Sequence, residues 1–293
     1  TYNRAHTLKR LYESLEQQSN KHFKWLIIDD GSTDETYELV QSLKKGSKLD
    51  IIYIYKENGG KHTAINEGMK IIDTPLTFIV DSDDYLDKDA IKEIYKYWSK
   101  YKDDMKLVSM WFLQQYSNGE IIGDKFPKDE FVSTYVDVMI NSGLKGDKKA
   151  VYRTYIRKKY PFPEFKNERF IAESTIHKRA NNGYKAVFIN KPIYISDYLE
   201  DGLTKKGLSM RLKNPLGGME NSKEFLTKDV CLKVRLKKMI LYIVYGIIAR
   251  YKIKEIIFSN RYPLMAILCM PLSFSLYIYW KIKYLNKSKK KEI

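Results

Sequence analysis

Blocks of apolar residues alternate with polar turns over the first hundred positions of this 293-residue chain. Leucines at helical spacing predict a helix over residues 5–19, and the apolar run at 24–28, which ends in an acidic turn, is typical of a buried strand. The further predicted elements are a helix opened by the capping-box pattern Ser32-Thr33-Asp34-Glu35, strands at 51–54 and 77–80, a helix at 61–72, and a helix that Asp87 caps. Strict alternation of strand and helix predicts a parallel sheet with helices on both faces.

Acidic side chains follow two of the predicted strands. Asp29 and Asp30 end the first strand, and Asp81, Asp83 and Asp84 follow the third. Sheets of this kind bind ligands at the carboxyl ends of their strands, so we expect the chemistry there. Two carboxylates separated by one residue can present oxygens to a Mg²⁺ or Mn²⁺ ion, and substrate phosphates then complete the metal's ligand shell. The alternative is that Asp and Ser occupy this turn for local hydrogen bonding.

Several short motifs occur in a fixed order. They are Thr1-Tyr2-Asn3-Arg4, Asp29-Asp30-Gly31-Ser32-Thr33-Asp34, Asn58-Gly59-Gly60-Lys61 with Asn66-Glu67-Gly68, and Asp81-Ser82-Asp83-Asp84. With this order and spacing, the chain resembles inverting family-2 glycosyltransferases of the bacterial surface-polysaccharide type. The resemblance is strong over residues 1–105 and looser over 145–203, where 146–149 and 198–204 are similar to family landmarks. It implies an α/β, GT-A-type Rossmann-like sandwich with a mostly parallel central sheet.

The resemblance also implies roles for individual residues. The implied substrate-binding residues are Thr1, Tyr2, Asn3, Asp30, Lys61 and Asp81, and the implied ligand of Mg²⁺ or Mn²⁺ is Asp83. Asp30 would accept the ring N–H of uracil, which cytosine lacks, so a UDP-sugar donor is favoured. Lys61 would contact the ribose or diphosphate, with a solvated lysine at a helix start as the alternative. Asp81 would reach the ribose or a metal-bound water.

An inverting transfer needs a base that takes the proton of the acceptor hydroxyl as it attacks the anomeric carbon. Residues 162–174 resemble the acceptor segment of the family, in which an acidic residue that opens a helix is the base. This implies Glu173 as the catalytic base, although Ser174 stands where the family commonly has a second acid. Glu168 is the alternative base. His177, one helical turn after Glu173, would orient it or bind phosphate, or is simply a structural histidine.

The amino-acid composition excludes several classes of protein and indicates the charge of the partner. The chain has 52 Lys and Arg against 36 Asp and Glu, a formal net charge of +16, and 44% of its residues are hydrophobic. The apolar content excludes a disordered or collagen-like chain, and the charge favours an anionic partner: nucleic acid, a phospholipid surface or a phosphorylated substrate. Two cysteines, Cys231 and Cys269, exclude a disulfide-stapled fold and suit a reducing cytoplasm. Because the chain starts at Thr1 without a signal-peptide pattern, we expect a fragment that lacks its first strand.

The C-terminal quarter has a different character. Residues 239–249 are apolar, and the uncharged run 263–280, interrupted by Pro271, just reaches membrane-spanning length. The lysines that follow are Lys281, Lys283, Lys287, Lys289, Lys290 and Lys291. A single span would place them outside the cell, against the positive-inside tendency. We therefore expect peripheral helices, interfacial or in a hairpin, at the cytoplasmic face of the membrane, with the lysines against anionic lipids. The alternative is a buried helix pair with a disordered tail.

The resemblance implies a nucleotide-sugar-binding half at 1–105 and an acceptor-binding half of the same domain at 106–227, and the apolar pattern predicts a membrane-associated helical tail at 228–293. The function that the resemblance implies is metal-dependent, inverting transfer of a sugar from a UDP-sugar to a lipid-linked or surface-polysaccharide acceptor. The alternatives are a non-catalytic nucleotide- or membrane-binding module and a nucleotidyltransferase, although the chain has no Gly-rich phosphate loop. No nucleic-acid partner is expected, because the interleaved aromatic and basic stripe of such a platform is missing from the sequence.

Overall fold

The computed structural model describes residues 1–197 and 203–285. Within them the helices are α1 (Ala5–Glu16), α2 (Thr36–Gly46), α3 (Lys61–Ile71), α4 (Ala90–Tyr101), α5 (Thr154–Lys159), α6 (Ser174–Ala180), α7 (Leu203–Lys213), α8 (Pro215–Glu224), α9 (Leu232–Ile248), α10 (Ile253–Phe258) and α11 (Pro263–Trp280). The strands are β1 (Lys24–Asp29), β2 (Asp50–Tyr55), β3 (Leu76–Phe78), β4 (Tyr85–Leu86), β5 (Leu107–Gln115), β6 (Glu130–Ser133), β7 (Lys148–Arg153) and β8 (Lys185–Ile195). The predicted α/β class is confirmed.

The strands form two sheets of mixed direction. β1 and β2 are a parallel pair, whereas the six-stranded sheet has the order β3-β7-β5-β8-β4, with β6 also paired to β8. In that sheet β5 and β8 run parallel, and the other pairs run antiparallel. The sheet has less parallel pairing than strict alternation predicts, because β7 returns in the opposite direction and inserts between β3 and β5.

The apolar runs of the sequence form the core around these strands. Leu8, Leu11 and Leu15 lie on one face of α1 and are at most 4% exposed. Every residue of β5 except the last is buried. Because both faces of this strand are covered, its sequence is a nearly continuous apolar run rather than an alternating one. Burial of each of the three α1 leucines contributes about 1.5–3 kcal/mol to the free energy of folding.

Two compact units divide the chain. The first consists of Thr1–Pro161 and Ala180–Tyr198, and the second of Phe162–Arg179 and Leu199–Ile293. The chain therefore leaves the first unit after α5 and returns to it for β8. Every strand described above belongs to the first unit, whereas α7 to α11 belong to the second.

The predicted capping box at the start of α2 is wrong. The helix begins at Thr36, and the side chain of Glu35, the residue before it, makes no capping hydrogen bond. The backbone N–H of Thr36 donates to Asp34 Oδ1 at 3.2 Å. The Ser32 hydroxyl accepts a hydrogen bond from the backbone N–H of Asn3 at 2.9 Å instead. Ser32 thus bonds to a residue far along the chain, and Asp34 bonds the first N–H of the helix.

Asp87, the predicted cap of α4, lies two residues too early, and the side chain of Asp89 makes no capping hydrogen bond in its place. Asp89, not Asp87, precedes the first residue of the helix. The carboxylate of Asp87 accepts a hydrogen bond from the backbone N–H of Asp89 at 3.0 Å. Asp87 therefore shapes the turn that leads into the helix, and the helix itself starts later.

The second unit contains the apolar C-terminal helices. α9 and α11 share a buried cluster that includes Met239, Ile243, Ala266 and Cys269. Among the described residues, one helical segment, Pro263–Tyr284, is long and apolar enough to cross a membrane. An 18-residue stretch of it has a mean hydropathy of 1.5 and is 22% buried. Lys287, Lys289, Lys290 and Lys291, which were expected to face lipid, lie outside the described residues.

Candidate active site

The N-terminal motif lies beside the end of β1. The backbone N of Thr1 donates to the carbonyl of Ile28 at 2.7 Å, and the N–H of Asp30 donates to the carbonyl of Thr1 at 2.8 Å. Asn3 has a φ of 49°, a left-handed conformation that asparagine tolerates better than most residues. Tyr2, between them, is 48% exposed. The three residues therefore line the carboxyl end of β1, where the sequence predicts the nucleotide pocket.

Asp30 is buried and its carboxylate is already bonded. Its Oδ1 accepts from Lys56 Nζ at 2.7 Å and from the N–H of Gly59 at 2.9 Å, and its Oδ2 accepts from the N–H of Gly60 at 2.7 Å. Each carboxylate oxygen has two lone pairs, so Oδ2 keeps one acceptor site. Uracil recognition by Asp30 stays a prediction, and the structure adds that this carboxylate fixes the glycine loop before α3.

Gly31 allows that loop to approach β1. Its φ is +85°, and a Cβ atom there would lie 2.8 Å from the backbone N of Asn58. The Asn58 amide in turn donates to the carbonyl of Asp30 at 2.8 Å. Only glycine fits this position without displacing the loop backbone.

Asp81 lies between two lysines at the carboxyl end of β3. Lys61, the first residue of α3, forms an ion pair with its Oδ1, and Lys149 on β7 pairs with its Oδ2 at 3.0 Å. Burial alone would raise the pKa of Asp81, but the ammonium groups of Lys149 and Lys61 outweigh burial and lower it well below its usual value. The structure thus brings together the predicted residues Lys61 and Asp81 and adds Lys149. We call Asp81, Lys61 and Lys149 the ion cluster.

Tyr194 on β8 supports the same turn. Its hydroxyl donates to Asp84 Oδ2 at 2.8 Å and accepts from the backbone N–H of Asp81 at 3.0 Å. Its ring lies 4.1 Å from Lys149 Nζ, a cation–π contact. Burial, with the nearby charge of Asp81, raises the pKa of Asp84 to about 6. Asp84 therefore shapes the turn from a buried position.

Asp83 differs from its acidic neighbours. Its backbone carbonyl accepts from Arg10 at 2.6 Å, and the carbonyl of Ser82 accepts from the Thr7 hydroxyl at 2.8 Å, so α1 fixes the turn. Among the residues that the structure describes, no side chain forms a hydrogen bond or ion pair with the Asp83 carboxylate.

The same part of the chain contains no group of three or more His, Cys, Asp or Glu side chains that could hold a metal ion. A carboxylate that no protein donor occupies fits a Mg²⁺ or Mn²⁺ ion that takes most of its ligands from phosphate and water. The residues present are therefore compatible with the predicted role of Asp83.

Glu173 lies in the second unit, immediately before α6, as the sequence predicts. Its backbone carbonyl accepts from the N–H groups of Ile176 and His177, both at 3.0 Å. Its carboxylate is 37% exposed and lies 3.9 Å from His177 Nε2. The pair places a partly exposed acid and an imidazole on adjacent turns.

Glu168, the alternative base, has a structural role. It is 9% exposed, and its two oxygens accept from the N–H groups of Leu216 and Gly217 at 2.7 and 2.8 Å. Burial raises the pKa of Glu168, and these two hydrogen bonds counteract only part of that effect. With both oxygens bound to the first turn of α8, this carboxylate is less suited to act as a base than Glu173.

Three residues around the site in the first unit are not predicted from the sequence. Lys149 belongs to a segment that resembles a family landmark, but nothing in its spacing pairs it with Asp81. Lys56 and Tyr194 gave no signal, because a lysine after one strand and a tyrosine within another are ordinary residues there. The landmark at 198–204 falls partly outside the described residues, in 198–202.

Known glycosyltransferases share sequence with this chain. A family profile described as Glycosyl transferase family 2 matches residues 1–160. The glycosyltransferase GlyA of Streptococcus pneumoniae is 27% identical over 212 residues, which cover 66% of this chain and 29% of GlyA. The poly(ribitol-phosphate) beta-N-acetylglucosaminyltransferase TarS of Staphylococcus aureus is 28% identical over 112 residues, which cover 38% of this chain and 20% of TarS. The chain thus spans less than a third of the length of either relative.

Solved structures share the fold. S. aureus TarS residues 1–349 in complex with UDP-GlcNAc align with a TM-score of 0.65 and 20% identity, covering 87% of this chain and 75% of that one. The mannosyltransferase PcManGT of Pyrobaculum calidifontis, in complex with GDP-Man and Mn²⁺, aligns with a TM-score of 0.55 and 15% identity, covering 96% and 81%. The predicted GT-A-type fold is confirmed. Since the family profile matches more than half of its residues, the chain belongs to glycosyl transferase family 2.

Proposed function

We propose that this chain is a metal-dependent, inverting glycosyltransferase that uses a UDP-sugar. The proposal rests on the ion cluster, in which two lysines converge on Asp81 two residues before the unengaged carboxylate of Asp83. Two ammonium groups can bind the oxygens of a diphosphate, and a carboxylate beside them can hold the cation that accompanies it. Support for UDP comes from TarS, a family relative whose structure contains UDP-GlcNAc.

Each residue would have a separate task in the reaction. Lys61 and Lys149 would bind the diphosphate oxygens, exchanging the carboxylate of Asp81 for phosphate. A divalent ion held by Asp83 would, when bound, offset the charge that develops on the leaving diphosphate. Glu173 would take the proton from the acceptor hydroxyl as its oxygen attacks the anomeric carbon and the bond to the diphosphate breaks.

The test is a panel of nucleotide sugars with Mn²⁺, in which released nucleoside diphosphate is measured. We expect release from a UDP-sugar, and much slower release from the matching GDP- and CDP-sugars. Nucleotide binding without release from any donor would indicate a non-catalytic module instead. Release of pyrophosphate rather than a nucleoside diphosphate would indicate a nucleotidyltransferase.

We also propose that the protein works at the cytoplasmic face of the membrane, on a lipid-linked or surface-polysaccharide acceptor. Support comes from α11, where Leu264, Leu268 and Leu272 recur at helical spacing and are 64–73% exposed. Lys281 and Lys283 are exposed just after them. Apolar side chains bordered by lysines suit an anionic lipid surface.

Flotation with phosphatidylglycerol vesicles and with phosphatidylcholine vesicles tests this location. We expect binding to the anionic vesicles that weakens with salt and is reduced when the three leucines are replaced by glutamine. Equal flotation of the wild type and the leucine variant would contradict the proposal for α11. Binding that resists high salt and alkaline pH would indicate an integral span.

A further inference from the structure

A hydrogen-bonded chain in the second unit ends at the residues that follow Glu173. Lys238 on α9 donates to Asn221 Oδ1 at 2.8 Å. The amide nitrogen of Asn221, on α8, donates to Ser174 Oγ at 2.9 Å and to Thr175 Oγ1 at 3.0 Å. Asn221 and Thr175 are buried, so these bonds are made away from solvent.

The lysine determines which way the amide faces. An ammonium group can only donate hydrogen bonds, so it requires the Asn221 oxygen, and the amide nitrogen is then directed at the two hydroxyls. Hydroxyl groups either donate or accept, so Ser174 and Thr175 alone would not select one orientation of the amide. The charge of Lys238 therefore sets the direction of the hydrogen bonds from Asn221 to Ser174 and Thr175.

The described neighbours of Lys238 do not include a carboxylate that would explain its position. Among the described residues no carboxylate forms an ion pair with it, and its ammonium group lies 3.9 Å from the centre of the Phe225 ring. Burial, together with Arg211 on α7 and Lys237 on its own helix, lowers the pKa of Lys238 to about 7. Burying an ammonium group near two other cations is unfavourable, and here the group bonds the amide oxygen of Asn221. This indicates that the orientation of the Asn221 side chain is important to the structure around it.

We propose that Lys238 and Asn221 are positioning residues for Glu173. The amide fixes Ser174 and Thr175 against α8, and these residues set the direction in which the preceding Glu173 side chain leaves the start of α6. Ser174 occupies the place of the family's common second acid, and here its hydroxyl is a point of attachment. This inference rests on the proposed function, because it takes Glu173 as the base.

The experiment compares Lys238→Met, which removes the donor but keeps the aliphatic stem, with Lys238→Arg, which keeps a donor. The assay is UDP release with water as acceptor, using the UDP-sugar that gives the fastest release in the donor panel. We expect Lys238→Met to lower kcat by about 10- to 100-fold with an unchanged KM for the donor, because the base is displaced and donor binding is not. Lys238→Arg should restore most of kcat. Lys223→Met, an exposed lysine on α8, is the matched control and should match the wild type.

Two further readouts separate positioning from general support of the fold. Asn221→Ala should cost as much as Lys238→Met, and the double variant no more than either, because both break the same chain. The wild-type rate should fall above a pH of about 7 as Lys238 loses its proton, and this fall should be absent from Lys238→Arg. A folded Lys238→Met enzyme with wild-type kcat, or with a raised donor KM alone, overturns the proposal.

An NMR measurement tests the inference even if no donor is turned over. The His177 ring lies 3.9 Å from Glu173, so its resonances report the position of that carboxylate. We expect Lys238→Met to move them toward their positions in Glu173→Gln, while Lys223→Met leaves them unchanged. Unmoved resonances in Lys238→Met overturn the positioning role. If Glu173→Gln releases UDP at the wild-type rate, only the assignment of the base fails, and the resonances decide the positioning.

Discussion

Two regions of the molecule can be compared: the turn after β3 and the segment that leads into α6. Each contains one carboxylate with a structural role and another that we propose for the reaction. In each region one acid is buried and bonded, Asp84 to Tyr194 and Glu168 to the first turn of α8. The acids that we propose for the reaction, Asp83 and Glu173, are other residues of the same two segments.

The difference between the two regions lies in the remaining partners. Lysines surround Asp81, whereas backbone amides hold Glu168. A lysine side chain is flexible and can move its ammonium group from a carboxylate to a phosphate, whereas the backbone amides that hold Glu168 are fixed in the first turn of a helix. We therefore expect the first region to rearrange when the diphosphate binds and the second to keep its arrangement.

The largest expected effect is at Asp83. Replacing it with alanine should lower transfer by at least about 10³-fold, because the charge of the leaving diphosphate is then uncompensated. The fold should persist, since no described side chain bonds to this carboxylate. UDP release with and without excess EDTA measures the effect, with the exposed Asp103→Ala as control. Full activity in EDTA would exclude the metal assignment.

Glu173→Gln should reduce transfer by about 10²- to 10⁴-fold with nearly unchanged affinity for UDP, because a base acts on the acceptor and not on donor binding. Steady-state kinetics and calorimetric titration with UDP give the two quantities. If Glu168→Gln shows this pattern and Glu173→Gln does not, the two carboxylates have the opposite roles, and the proposed division of work in the second region is wrong.

Lys149→Met should weaken UDP binding by about 10-fold or more, since one charge-assisted hydrogen bond to phosphate is lost. The change tests whether the ion cluster rearranges for the diphosphate. Calorimetry with UDP and with uridine distinguishes the phosphate contribution, and uridine affinity should not change. Lys125→Met, an exposed lysine of the same unit, is the control. Equal losses for UDP and uridine would contradict a phosphate contact.

The smallest expected effect is a change in stability at Glu168. Glu168→Gln should lower the free energy of unfolding by about 1–3 kcal/mol, because one N–H at the start of α8 loses its acceptor. The pKa of Glu168 is raised in the folded state, so its contribution is fully present below its ordinary value of 4.5 and declines as the pH rises through the folded value. Urea unfolding should therefore show a larger difference at pH 4.5 than at pH 7. Equal differences at both pH values would mean that this carboxylate titrates as it does in the unfolded chain.

The sequence predicts the parts of this molecule that depend on local pattern. The leucine spacing of α1, the apolar runs of β1 and β2, and the helix after Glu173 all follow from neighbouring residues. The partners of Asp81 do not, because Lys149 is brought to it by the pairing of β7 with β3, which no local pattern specifies. The capping box failed for the same reason, since Ser32 bonds to Asn3 rather than to its own helix.

The return of the chain to the first unit has a consequence for synthesis. β8 is the shared neighbour of β4, β5 and β6, yet it is translated after the segment Phe162–Arg179, which belongs to the other unit. The larger sheet therefore cannot close until residue 195 has left the ribosome. Synthesis adds about 5–20 residues per second, so β8 emerges several seconds after β5. During this interval the apolar side chains of β5 are exposed and can bind a chaperone.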